Sequence, residues 1–210
     1  MTVRVHPTAI VEPGVELGTG TAVWDSVHIR GPARIGRDCI IGEKSYLAYG
    51  VSIGDRVKIN AFVYICTGVT IEDGVMISAG TIFTNDRFPR ATTADLMTLR
   101  GSAPDEFTET TLVRAGATIG AGARIGPGLS IGRFAMIGMG AVVTRDVSDH
   151  SLVIGHPARP HAMVCRCGTP LLRLDANGGL APRHVECIRC GDGYLWDGHA
   201  LTLAGEAALP

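Results

Sequence analysis

The chain has 210 residues, enough for one large domain or for a large and a small one. Aromatic residues make up only 5% while glycine numbers 28, so the core must be built from small and branched side chains in repeated layers. A formal net charge of -1 argues against an extended basic surface for nucleic acid or anionic lipid.

The opening MTVRVHPTAIVEPG lacks the apolar run of a signal peptide, and no stretch approaches the roughly 18 apolar residues of a membrane span. A soluble, cytoplasmic protein is expected. From Val11 an apolar residue recurs at every sixth position: Leu17, Val23, Ile29, Ile35, Ile41, Leu47, Ile53, Ile59, Ile65, Ile71, Ile77 and Phe83. Two places before them stand small or β-branched residues, from Val15 and Thr21 to Val75 and Thr81. Glycine follows the aliphatic at Gly18, Gly36, Gly42 and Gly54, where the chain bends. Each hexad therefore reads as a short strand and a corner that bury their aliphatic only by stacking on neighbouring coils. After an interruption the same register resumes at Val113, Ile119, Ile125, Ile131, Ile137 and Val143, which marks an insertion into a continuing coil.

These hexads resemble the left-handed parallel β-helix of the hexapeptide-repeat acyltransferases. The resemblance covers residues 3–160. It implies an all-β triangular prism with three hexads per turn, assembled as a homotrimer with active sites in the clefts between subunits. The prism is expected over 1–160, with an active-site loop inserted at 84–112.

That loop, TNDRFPRATTADLMTLRGSAPDEFTETTL, is far longer than an ordinary connection, so it is either a functional segment or a solvated flap. Its start gathers Asn85, Asp86, Arg87 and Arg90 around Phe88 and Pro89. FTNDRFPRA at 83–91, after IEDGVMIS at 71–78 and with GHPAR at 155–159, looks like the N-acetyltransferases of nucleotide-linked 3-amino sugars. The resemblance implies acetyl-CoA as cosubstrate. The acceptor would be a UDP-linked 2-acetamido-3-amino uronic acid or a dTDP-linked 3-amino-deoxyhexose, in a pathway to a surface polysaccharide or glycosylated metabolite. Ser78, Ala79, Cys66 and Thr67 depart from the common family pattern.

Between Val51 and Gly140 there is no histidine, which argues against a catalytic imidazole. A sugar amine titrates nearer an α-amine, about 7.7 to 8, than a lysine, so it needs orientation more than deprotonation. Asn85 is the candidate that receives the amine, as the resemblance suggests, and Asp86 is either a secondary acid–base group or a turn-capping carboxylate. Arg87 and Arg90 suit a diphosphate or a sugar carboxylate. His28 either contacts the nucleotide or sits on a corner. The small residues of AGATIGAGARIGPG and IGMGAVVTRD, represented by Ala121 and Gly140, leave bare backbone on which the family lays pantetheine, with Arg145 and Arg159 for the coenzyme phosphates.

Beyond GHPARP the period stops, and CRCG at 165–168 with ECIRCGDGYLW at 186–196 looks like a zinc ribbon over 161–200. Cys165, Cys167, Cys187 and Cys190 suit a closed, structural Zn2+ site, with His184 as a substitute ligand. Cys39 reads as core, and 201–210 as a weakly ordered tail. Three rival functions stay in view. O-acetyl or longer acyl transfer would need a base. A carbonic anhydrase-type metal site would need histidines on the central coils. A non-catalytic trimeric scaffold would use the ribbon to dock a partner through Arg166, Arg173, Arg183 and Arg189 with Tyr194 and Trp196.

Overall fold

Each hexad forms one short strand, such as Ala22–Val23, His28–Ile29 and Ala33–Ile35. The computed structural model describes residues 2–174 and 180–205, and among these there is no helix long and apolar enough to cross a membrane. Pairing is parallel and runs from each residue to the one three hexads further on, as in Ala22↔Ile40, His28↔Tyr46 and Arg34↔Ser52. Every third strand therefore joins the same sheet, and three sheets close a β-solenoid. The first face starts with Arg4–Val5, the second with Ile10–Val11 and the third with Val15–Leu17.

The sixth-position aliphatics form the core. Ile29, Ile41, Leu47, Ile59, Ile65, Ile77, Ile119 and Ile131 are fully buried, and each such side chain contributes on the order of 1.5–3 kcal/mol. The positions two places earlier face inward at the corners, where space is short and backbone carbonyls lie near. Polar hydroxyls are tolerated there because they donate to those carbonyls: Thr21 Oγ1 to Gly36 O at 2.8 Å, and Ser45 Oγ to Asn60 O at 3.1 Å. Cys39 is wholly buried in the same kind of position, and burial pushes its thiol pKa up.

The inserted loop leaves the register intact. Ile59 pairs with Ile77, three hexads on, and Ile77 pairs with Ile119, seven hexads on. The difference is a whole number of hexads, so every inward position stays inward. The strand Thr111–Val113 already pairs with Val69–Ile71, which shortens the expected 84–112 loop to 84–110.

The last turn departs from the repeat. Ile137 pairs with Val153, short of a full coil, and the strand Ser151–Gly155 then folds back antiparallel as Ala158–Val164. That strand crosses the boundary expected at residue 160 and pairs onward with Pro170–Arg173, so the first face continues into the C-terminal module. The module's own sheet holds Arg183–Glu186, Gly193–Trp196 and Leu201–Leu203. Leu201 is 4% exposed and belongs to the module's core with Met163, Leu172, Tyr194 and Trp196, so the ribbon reaches into the stretch expected to be tail. Residues 206–210 of that stretch lie outside the described residues.

Candidate functional site

A cleft of about 570 Å³ lies along the second face under the inserted loop. The coil-to-coil register explains its shape. Ala48 and Cys66 sit one coil apart, and their small buried side chains make a floor. Tyr46 and Tyr64, also one coil apart, stack in parallel with ring centroids at 5.3 Å and form one wall. Tyr49, Thr67 and loop residues from Leu99 to Asp105 form the other, and Tyr49 Oη donates to Ser102 O at 3.4 Å, tying loop to prism.

Asn85 and Asp86 close the upper end. Asn85 is half-buried, and its Nδ2 donates to Thr67 O at 3.1 Å while its backbone carbonyl accepts from Glu109 N–H at 2.8 Å. With the amide nitrogen engaged, Oδ1 is the remaining side-chain acceptor of a residue that lines the cleft. Asp86 Oδ1 accepts the N–H of Phe88 at 2.8 Å, the geometry of a turn-capping carboxylate. Arg90 lines the cleft and donates to Pro89 O at 2.9 Å. Arg87, expected beside it, turns instead to Glu109, 3.0 Å away, because the hairpin-like return of the loop brings Glu109 back beside Asn85.

Arg100 was missed by sequence reasoning. It pairs with Asp105 at 2.6 Å, donates to Phe88 O at 3.0 Å and approaches the Phe107 ring, so it holds the loop's shape while lining the cleft. Cys66 stays a thiol at neutral pH, since burial pushes its pKa up to about 11. Among the described residues, no histidine lines the cleft.

At the lower end stands Arg30. His28 lies in the strand His28–Ile29, which corrects its placement on a corner, and it sits behind Arg30 rather than in the cleft. A strand puts residue 28 outward because its neighbour Ile29 fills the core. His28 Nε2 lies 2.9 Å from Glu12 Oε1, and its ring meets Tyr46 edge-on at 5.4 Å. Arg30 Nε lies 2.7 Å from the same Glu12 oxygen, and its Nη1 donates to Tyr46 Oη at 3.3 Å. The contact with His28, then that with Arg30, holds the Glu12 carboxyl down at a pKa of about 2.

The late coils present bare backbone where the resemblance placed the coenzyme. Gly140 N–H donates to Ala121 O at 2.8 Å, so the two lie on one corner, and open space surrounds Gly122 and Gly140. Arg145 and Arg159, separated in sequence by the last turn of the prism, are brought together at a second, smaller cavity of about 200 Å³ with Ser148 and Ser151.

In the module, the sulfurs of Cys165, Cys167, Cys187 and Cys190 all lie within 4.8 Å of one another. Four converging thiols match the donor set of a closed tetrahedral zinc site. Gly168 and Gly191 take positive φ of 85° and 77°, and their N–H groups donate to Cys165 O and Cys187 O, both at 2.8 Å, which turns each Cys pair toward the centre. Arg166 makes two hydrogen bonds to Asp192, at 2.7 and 2.9 Å, and Tyr194 Oη sits 3.2 Å from Cys165 Sγ, an outer ring that orients the ligands. His184 is exposed on Arg183–Glu186 and stands outside this cluster. Tyr194 and Trp196 are 1% and 3% exposed, so they offer no aromatic docking surface of the kind a partner-binding ribbon requires: both rings fill the module's core.

The family described as bacterial transferase hexapeptide (six repeats) matches residues 50–85, and the hexapeptide repeat of succinyl-transferase matches 32–66 and 115–145. The acyl-acyl-carrier-protein–UDP-N-acetylglucosamine O-acyltransferases of Brucella ovis and Brucella canis are 40% identical over 55 residues, 26% of this chain and 20% of theirs. The match thus spans one fifth of those curated relatives. Among solved structures, AntD, an N-acyltransferase from Bacillus cereus in complex with dTDP-4-amino-4,6-dideoxyglucose and coenzyme A, aligns at 22% identity and a TM-score of 0.59. It covers 69% of this chain and 81% of that one. LpxA, a UDP-N-acetylglucosamine acyltransferase from Bacteroides fragilis, aligns at 13% identity and a TM-score of 0.62, covering 77% and 61%. With repeats matched on both sides of the loop and an unbroken inward register, this chain folds as a β-solenoid of hexapeptide repeats.

Proposed function

We propose that this protein is an acetyl-CoA-dependent N-acetyltransferase acting, in the cytoplasm, on the amino group of a nucleotide-linked amino sugar, of the 3-amino type. The observation that carries the reading is Asn85. Its side-chain amide is anchored through Nδ2 on Thr67 O, leaving Oδ1 as an acceptor in a cleft that no histidine among the described residues lines. An amine nucleophile needs such an acceptor to orient its N–H bonds. A hydroxyl would need a base, and none is supplied by an imidazole here. An alanine mutant of AntD, which shares the fold, is solved in complex with a dTDP-linked 4-amino sugar and coenzyme A, which supports an amino sugar as acceptor.

In this reading the amine lone pair attacks the thioester carbonyl, the new C–N bond forms, and the C–S bond breaks. Coenzyme A leaves as a thiol after taking the proton the amine gives up. Positioning supplies most of the acceleration. Arg90 meets the diphosphate or a sugar carboxylate, whereas Arg87 shapes the loop through Glu109. Asp86 serves as a turn cap. Pantetheine lies along Ala121 and Gly140, and Arg145 and Arg159 hold the coenzyme phosphates. The four cysteines hold a structural zinc ion.

The active unit is a homotrimer with its sites between subunits. The exposed Leu96, Met97 and Leu99 of the loop and Trp24, Phe62 and Met139 of the prism support such self-association, since isolated chains would leave these apolar side chains in water. The test is a panel of UDP-, dTDP- and GDP-linked amino sugars with acetyl-CoA, following thiol release. One or more amines should turn over while their hydroxyl counterparts do not. Turnover of the hydroxyl sugars alone would replace this reading with O-acyl transfer.

A further inference from the structure

The lower end of the solenoid is open. Each of the three sheets begins there with a strand that has a neighbour on one side only among the described residues: Arg4–Val5, Ile10–Val11 and Val15–Leu17. Their inward residues Val5, Val11 and Leu17 continue the aliphatic column of the core, yet no coil among the described residues lies beneath them. Val5 is 45% exposed, whereas Val23, one coil above it on the same face, is 3% exposed. Open strand edges around an uncovered apolar layer are a template for pairing with another chain. At the upper end the first face runs on through Ser151–Gly155 and Ala158–Val164 into the module, which stands in the way of a head-to-tail stack. Contact between two lower ends meets no such obstacle.

The outward residues at this end form a self-complementary set. At the centres of the three faces of the first coil stand Arg4, Ile10 and Glu16, each one residue before an inward position. All three are exposed, and among the described residues neither Arg4 nor Glu16 has an ion-pair partner. Two lower ends brought together by a two-fold axis run their coils in opposite senses, so the facing strands are antiparallel. An axis through the second face sets the first face of each copy against the third face of the other, and Ile10 against its own copy. Arg4 then meets Glu16 twice, once on either side of Ile10. Axes through the first or third face would set Arg4 against Arg4 or Glu16 against Glu16, and like charges directly opposite are destabilising. The backbone agrees with the first arrangement. Arg4 N–H donates to Thr21 O and Ile10 N–H to Val27 O, both in the next coil, so alternation along the strand turns the amides of Val5 and Val11 to the open edge. Arg4 and Glu16 would thus face each other as a non-hydrogen-bonded pair, the kind whose side chains come closest.

We propose that the lower end of the solenoid is an interface for a second copy of this chain: two prisms meet end to end about an axis through their second faces, with Arg4 of each paired to Glu16 of the other. The contact takes Val5, Val11 and Leu17 out of water and completes the open strand edges. It lies apart from the cleft and from the lateral self-association proposed above, and it rests on neither.

The test is the mass of the full-length protein in solution, by sedimentation, for the wild type, Arg4→Glu, Glu16→Arg and an equimolar mixture of the two variants. The wild type should contain an even number of chains. Each variant alone brings like charges together and should have half the wild-type mass. The mixture should recover the full mass, because one variant presents two acids where the other presents two bases. Recovery also shows that both variants are folded. An odd number of chains in the wild type overturns the proposal, and so does an unchanged mass in both variants or a mixture that stays at half mass. With the lateral trimer the wild type is a hexamer and each variant a trimer; without it they are a dimer and a monomer. Failure of the trimer and failure of the end-to-end contact therefore read differently.

Discussion

Asn85, Asp86 and Glu12 are all short polar side chains at the cleft or beside it, and their partners separate their tasks. Asn85 has one amide atom engaged and one offered; Asp86 is spent on Phe88 N–H; Glu12 is surrounded by His28, Arg30 and Gly31. Replacing Asp86 by Asn should keep the turn and leave kcat/KM within about threefold of wild type, because an amide oxygen accepts the same backbone bond. Glu12 carries a pH signature. Its folded pKa is depressed to about 2 from 4.5, so its contribution to stability is complete above pH 4.5 and is lost as pH falls toward 2. The difference in melting temperature between wild type and Glu12→Gln should be largest at neutral pH and shrink to nothing near pH 2; a gap independent of pH would show that the charge has no role there. At this scale the place of Asn85 at the cleft and the convergence of the four cysteines were legible in the chain because local motifs carry them. Arg30, Tyr46 and Tyr64 were not, since their relation spans whole coils and emerges only when every third hexad is read as one column.

At the scale of the element, the strand is too short to exist alone and the coil is the unit of stability. Ile59 is completely buried between Ile41 and Ile77 on the strands paired to either side. Ile59→Ala should cost about 2–4 kcal/mol in urea unfolding, more than a surface change on the same strand such as Lys58→Ala, which should stay within about 0.5 kcal/mol. The inserted loop is the opposite kind of element. Because it adds whole hexads between Ile77 and Ile119, excising it so that an ordinary three-hexad coil closes should leave the prism folded and abolish transfer. Loss of the folded prism in that variant would mean that the loop is part of the scaffold. The period revealed this insertion directly from sequence, but it could not reveal the cleft beneath it. The walls depend on contacts such as Tyr49 to Ser102 and Arg100 to Asp105, which no repeat encodes.

For the whole molecule, prism and module share one continuous sheet, and His150 links them: its ring stacks near Phe134 at 5.4 Å and meets Tyr194 edge-on at 5.5 Å. The boundary expected at residue 160 is where the six-residue period stops, and the strand Ala158–Val164 passes through it. On the proposed zinc assignment, a chelator should release about one metal per chain and melt the module, whose core is small, while the solenoid's β signal by circular dichroism persists. Retention of the module's near-ultraviolet Trp196 signal after complete metal loss would remove zinc from its stability. The central claim concerns the acceptor at the closed end of the cleft, and kcat/KM of Asn85→Ala with the best nucleotide-linked amino sugar and acetyl-CoA tests it most directly. The account predicts a fall of about 100-fold with folding unchanged. A value equal to wild type would contradict it.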